Sequence, residues 1–137
     1  MRYEVYIRLL GDESIVQALH EETRVPGATV EQLRARKNDT EYWWNWRTPK
    51  VSIEGEEVDR GVKTLLDQHR RFFAAIKRRR ENGADIYLEL VTYYRENEQP
   101  AGFYLSAGTV ALLNELGAAL DHDAVLDVKN GPDRVGM

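Results

Sequence analysis

Alternating apolar and polar side chains predict two long β-strands. In the first, Tyr3, Val5, Ile7 and Leu9 fall on one side, which is typical of a strand with one buried face. The second covers residues 85–94 and carries apolar side chains on both sides, as expected for a strand in the middle of a sheet. The same pattern predicts shorter strands at residues 29–37, 42–49, 102–105 and 118–126.

A different periodicity, of three or four residues, runs through 56–82 and predicts one long amphipathic helix. Its apolar stripe is formed by Val58, Val62, Leu65, Leu66, His69, Phe72, Phe73 and Ile76. An unbroken helix of this length would measure roughly 40 Å. Shorter helices are predicted over 14–22 and over 107–116, the latter capped by Ser106 and ended by Gly117.

The order of these elements is β-α-β-β-α-β followed by β-α-β. The first six have the succession of a ferredoxin-like unit. The sequence therefore predicts an α+β fold in which a mostly antiparallel sheet packs on one long helix. We expect a single domain over residues 1–128 and a flexible C-terminal tail over 129–137.

Composition narrows the classes of function. The chain has 137 residues, no cysteine and a formal net charge of −4. The missing cysteine excludes disulfides, thiolate-bound metals and thiol nucleophiles. No apolar stretch approaches the roughly 20 residues of a membrane span, so we expect a cytoplasmic protein without membrane contact. Residues 60–80 hold eight basic side chains and one acidic side chain, whereas the rest of the chain is acidic.

Histidines and carboxylates are the candidate catalytic and metal-binding residues, but their spacing along the chain is not typical of a catalytic site. His20, His69 and His122 lie on three different predicted elements. His69 falls on the helical stripe, where a buried, hydrogen-bonded histidine is the simpler interpretation. The triplet Asp121-His122-Asp123 has residue types that can bind a metal, yet its predicted position in a turn favours a solvated polar segment. We therefore predict no catalytic residue, no metal and no cofactor.

Tryptophan and arginine are the candidate binding residues. The strand over 42–49 would place Tyr42, Trp44 and Trp46 on one face and Trp43, Asn45 and Arg47 on the other. Core packing is favoured for Trp44 and Trp46, while exposed tryptophan beside arginine is typical of a protein interface. The residues predicted for binding are Trp43, Trp46, Arg47, Arg71 and Arg78.

The C-terminal third carries a family resemblance. A strand that ends in Leu105-Ser106 leads into a short helix closing on Leu116-Gly117-Ala118, and a strand with Asp121 follows. This succession resembles a bacterial family known only as domain of unknown function number 4279. The resemblance implies an α+β domain and brings no catalytic residues. By analogy, small acidic proteins of this kind are suspected of protecting against toxins.

These observations favour a non-enzymatic module that binds a protein partner, one version of which is an immunity or antitoxin-like protein. Two alternatives stay open. The basic helix face is a candidate surface for nucleic acid, but no aromatic side chains interleave with it, so nucleic acid is the less favoured partner. A small hydrolase or lyase built around His69 is the other. A homodimer formed through a sheet edge or the tryptophan strand also stays open.

Overall fold

The fold is built around one mixed sheet. The computed structural model describes residues 1–33, 43–54, 57–99 and 102–127. Within them the sheet has six strands: β1 (Arg2–Gly11), β2 (Thr29–Gln32), β3 (Trp44–Arg47), β4 (Val51–Glu54), β5 (Asp85–Tyr94) and β6 (Ala119–Leu126). The path of paired strands is β2-β3-β1-β5-β6, with β4 also paired to β1. All neighbours are antiparallel except β5 and β6, which are parallel.

Strand β1 is the centre of the sheet, and β3 and β4 share one of its edges. Arg8 pairs with Arg47 and Val5 pairs with Val51, so two residues of β1 lie opposite the three residues 48–50. This mismatch is a bulge. The Thr48 amide donates to the Ile7 carbonyl, and the Ile7 amide donates to Thr48 Oγ1 at 3.0 Å. The Thr48 hydroxyl thus replaces a backbone acceptor where the ladder is interrupted.

Four α-helices occur among the described residues: α1 (Glu13–Thr23), α2 (Val58–His69), α3 (Phe73–Arg80) and α4 (Ala107–Leu116). Asp12 caps α1 by accepting from the Ile15 amide at 2.9 Å, and Ser106 caps α4 by accepting from the Thr109 amide. The apolar sides of the helices and one face of the sheet form a single core. Its fully buried strand residues include Val5, Ile7, Leu9, Trp46, Leu88 and Leu90.

The prediction of one unbroken helix over 56–82 is wrong. Helix α2 ends at His69, a 3-10 turn spans Arg70–Phe72, and α3 then begins. Helix α2 contacts β1 and β4, whereas α3 contacts β5 and α1, and both halves contact α4. The tighter turn lets the two halves follow different strands while the apolar stripe continues, since Leu66 and Phe73 are both buried. Periodicity alone does not detect a break that preserves the stripe.

The remaining elements agree with the prediction to different degrees. The strand over 85–94 and the helix over 107–116 are confirmed, and the first strand is longer than predicted at both ends. Strand β6 confirms the last predicted strand. The predicted strand at 102–105 is wrong, because those residues form no strand, and β4 was not predicted. Tyr42, Glu56, residues 34–37 and the tail at 129–137 lie outside the described residues, so these parts of the prediction stay open.

No helix in the described part of the chain combines the length and the apolar character needed to cross a membrane.

Candidate functional site

The two faces of the sheet differ sharply in composition. On β1, the side chains at positions 3, 5, 7 and 9 are buried against the helices, and those between them point the other way. No described helix packs on this second face, which we call the open face. The pairing register brings side chains of β1, β5 and β6 together there. Its central row runs from Tyr6 through Glu89 to Asp121.

Three carboxyl groups meet on the open face beside β6. Glu89 lies directly opposite Asp121, and Asp123 follows on the same side of β6. One oxygen from each group lies within 4.8 Å of the others. Glu89 is only 3% exposed, whereas Asp123 is exposed at the edge of the sheet. We call these three residues the carboxyl cluster.

Glu89 is the least solvated member of the carboxyl cluster. Its Oε1 accepts from Arg8 Nη1 at 2.9 Å, while no donor reaches its buried Oε2 in the ionised form. Burial, followed by a hydrogen bond that protonated Glu89 makes with Asp121 and by the charge of Asp121, raises the pKa of Glu89 from 4.5 to about 7. Asp123 acts in the same direction and Arg8 opposes it. On the other side, burial and then the charge of Glu89 raise the pKa of Tyr6.

This raised pKa makes the stability of the fold depend on pH. The folded chain holds the Glu89 proton more tightly than the unfolded chain, so stability is greatest below pH 4.5 for this group and is lost as the pH rises through about 7. Glu89→Gln cannot ionise. Between about pH 5 and pH 8 we expect the free energy of unfolding of the wild type to fall by about 1–2 kcal/mol relative to that of the variant. Water at the open edge of the sheet screens part of the Glu89 charge and keeps this change small.

Urea unfolding of both proteins at a series of pH values, in a buffer with a metal chelator, measures this difference. Two stability curves that run parallel from pH 5 to pH 8 would contradict the prediction.

Arginine and tyrosine side chains pair across the rest of the open face. The guanidinium carbon of Arg2 lies 4.2 Å from the centre of the Tyr93 ring, and that of Arg8 lies 5.9 Å from the Tyr87 ring. Tyr6 is approached by two cations, with Arg47 at 5.8 Å and Lys50 at 5.4 Å. Such contacts favour one orientation of each long basic side chain.

The predicted binding residues on the tryptophan strand differ in burial and in the face of the sheet on which they lie. Trp46 is fully buried and pairs with Leu9, so its side chain belongs to the core, as the alternation favoured. Trp43 is 44% exposed immediately before β3. Arg47 is half-buried on the open face, against Tyr6. Asn45, expected to be exposed, is buried.

The basic residues lie elsewhere, on the helices. Arg71 is exposed in the 3-10 turn and stacks on Phe72 at 4.6 Å. Arg78 Nη1 donates to Glu22 of α1 at 2.8 Å, and Arg79 donates to the same carboxylate. Arg71 and Arg78 therefore lie on the helix side of the sheet, whereas Arg47 lies on the open face.

The histidines have surroundings that the sequence did not reveal. His69 is half-buried, and burial followed by the charge of Arg71 lowers its pKa. Three cavities, lined among others by Tyr93, by Tyr87 and by Gln68, do not include it. His122 Nε2 lies 2.8 Å from Thr92 Oγ1, and its ring packs edge-on against Phe103. His122 therefore lies on the helix side of β6, while the aspartates beside it face the opposite way.

Sequence reasoning missed Glu89 and the tyrosines of the open face. In the sequence, Asp121-His122-Asp123 was considered as a unit centred on the histidine. On a strand, however, residues two apart share a face, so Asp121 and Asp123 lie side by side and His122 points the other way. A glutamate between Leu88 and Leu90 in a predicted central strand was the available signal for a buried carboxyl group. The partner strand of Glu89 could not be read from the pattern.

Comparison with known proteins supports the resemblance. The model of a family described as a domain of unknown function (DUF4279) matches residues 2–127. No curated protein and no solved structure matches the chain significantly. The family match covers nearly the whole described chain, including β1 through β6 and every helix. The chain therefore belongs to the DUF4279 family.

Proposed function

We propose that this chain is a non-enzymatic module that binds another protein with the open face of its sheet. The observation that carries the proposal is the set of tyrosine–cation pairs on that face, formed by Arg2, Arg8, Arg47 and Lys50 with Tyr93, Tyr87 and Tyr6. Arginine and tyrosine are enriched in the residues that dominate binding energy at protein interfaces. Holding them in place before binding reduces the entropy lost on association.

The charges of the face define the partner. Arg47 and Lys50 concentrate positive charge around Tyr6, so a complementary surface would present carboxylates and apolar groups there. In the antitoxin-like version of the proposal, the partner is instead basic and contacts the β6 margin at Asp121 and Asp123. The two versions place the decisive contacts at opposite sides of one face.

A pull-down from the source organism, followed by titration of the purified captured protein, tests the proposal. We expect Arg47→Glu to weaken binding at least tenfold, because it reverses the charge that meets the partner. Arg71→Glu is the matched control: it makes the same change at an exposed position on the helix side and should leave affinity within about twofold.

Two outcomes would overturn the assignment. One is the absence of any protein that binds saturably, and another is equal loss of binding in both variants. If binding survives in Arg47→Glu but is lost in Asp123→Lys, the acidic partner is excluded in favour of the basic one.

Nucleic acid has less support as the partner. Arg78 and Arg79 are already paired with Glu22, and Arg70 is paired with Glu115 at 3.1 Å, so much of the basic helix charge is internally balanced. Tyrosines on an uncovered sheet are also a platform for RNA bases. The carboxyl cluster on the same face would repel the phosphates of such a strand.

We also infer that the core is ferredoxin-like. Strands β2, β3, β1 and β5 are adjacent in that order with antiparallel neighbours, and β6 extends this unit through α4. The outer edge of β6 would then be an addition beyond the basic unit. It is also the edge at which a homodimer would extend the sheet.

A further inference from the structure

The carboxyl cluster has a geometry that suits a metal ion. We propose that Glu89, Asp121 and Asp123 bind a hard divalent cation, such as Ca²⁺ or Mg²⁺, at the β6 margin of the open face. Their oxygens lie within 4.8 Å of one another. Oxygens on opposite sides of a bound Ca²⁺ are up to about 5 Å apart, and those around Mg²⁺ are closer. One cation can therefore contact all three groups after small side-chain rotations.

A second observation, independent of the spacing, comes from Glu89. This side chain is almost completely buried, and its Oε2 has no hydrogen-bond partner although Oε1 is held by Arg8. Buried carboxylate oxygens are normally satisfied, because an unpartnered one keeps the cost of losing its water. Glu89 faces Asp121 across the β5–β6 pair, and when both groups are ionised neither can donate a hydrogen bond to the other. A cation between them would supply the missing partner.

The charge balance also fits a divalent ion. When all three carboxyl groups are ionised, they and the guanidinium of Arg8 carry a net charge of −2. Carboxylate oxygens favour Ca²⁺, Mg²⁺ and Mn²⁺ over softer metals, and the ring of His122 lies on the other side of the strand. Because Asp123 is exposed at the sheet edge, water can complete the coordination.

The main test is calorimetric titration of CaCl₂, and separately MgCl₂, into the full chain after treatment with a chelator. We expect saturable binding with one site per chain for at least one of the two ions. Asp123→Asn should weaken that binding at least tenfold, because it removes one charged ligand while leaving an exposed side chain of the same shape. Asp67→Asn removes one charge from an exposed position on α2 and should bind like the wild type.

Terbium luminescence provides a second readout. Tyr6 is paired with Glu89 in the sheet, so tyrosine excitation should sensitise Tb³⁺ bound at the cluster. We expect this emission in the wild type and in Asp67→Asn, and its loss in Asp123→Asn. Excess Ca²⁺ should reduce it by displacement.

The proposal is overturned if neither Ca²⁺ nor Mg²⁺ binds saturably, or if Asp67→Asn weakens binding as much as Asp123→Asn. Circular dichroism of each variant verifies that the fold is retained. These measurements need no protein partner. Their outcome is therefore separate from that of the proposed function.

Discussion

Trp46→Ala is expected to lower the free energy of unfolding by about 3–5 kcal/mol. The indole is fully buried in the core, where it pairs with Leu9 on the helix side of the sheet. Removing it leaves a cavity that the surrounding strands and helices cannot close. Guanidinium unfolding followed by far-ultraviolet circular dichroism measures the change without relying on tryptophan fluorescence.

Trp43→Ala is the matched control, since Trp43 is 44% exposed and its loss should cost no more than about 0.5 kcal/mol. The loss of unfolding free energy in Trp46→Phe should lie between the losses in Trp46→Ala and Trp43→Ala. The indole Nε1 of Trp46 is buried without a hydrogen-bond partner, so phenylalanine loses volume but breaks no hydrogen bond. Equal destabilisation by the two alanine variants would show that Trp46 is not part of the core.

Thr48→Val should lower the free energy of unfolding by about 2–3 kcal/mol, although the side chain keeps almost the same size. Thr48 is fully buried, and its hydroxyl accepts the hydrogen bond of the Ile7 amide at the bulge. Valine leaves that amide buried without an acceptor in the central strand. Urea unfolding measures the loss of stability, and amide hydrogen exchange at Ile7 measures its local effect.

Two further variants separate the hydroxyl from the methyl group. Thr48→Ser keeps the acceptor and should lose only about 1 kcal/mol for the missing methyl. Thr64→Val makes the same change at an exposed position on α2 and should be nearly neutral. If Thr48→Val is no worse than Thr64→Val, the hydroxyl does not support the bulge.

The elements that the sequence predicted well are those in which one periodic pattern continues without interruption. Residues 85–94 and 107–116 appear as predicted, because each is a single regular segment with clear end signals. The alternation in the tryptophan strand also favoured the core for Trp46, which is fully buried, although the same residue was among those predicted for binding. The break at 70–72 was missed because it depends on which strands lie beneath each half of the helix, and a sequence pattern carries no such information.

The candidate site was harder to predict than the fold. Asp121 and Asp123 were noticed, but as neighbours of His122 in an expected turn. Their role follows from the parallel pairing of β6 with β5, which sets Glu89 opposite Asp121. Register between strands separated by a helix depends on tertiary packing, and no local pattern encodes it. The open face was missed for the same reason.

The central position of β1 has a consequence for how the chain is made. During translation β1 leaves the ribosome before every described strand with which it pairs, and none of these strands can form a local hairpin with it, because the nearest begins at Trp44. Its hydrogen-bonding edges therefore stay open until β3, β4 and finally β5 have emerged. In that interval the apolar side chains of β1 are accessible to nascent-chain chaperones and to neighbouring copies, and folding is slow because distant segments must meet first.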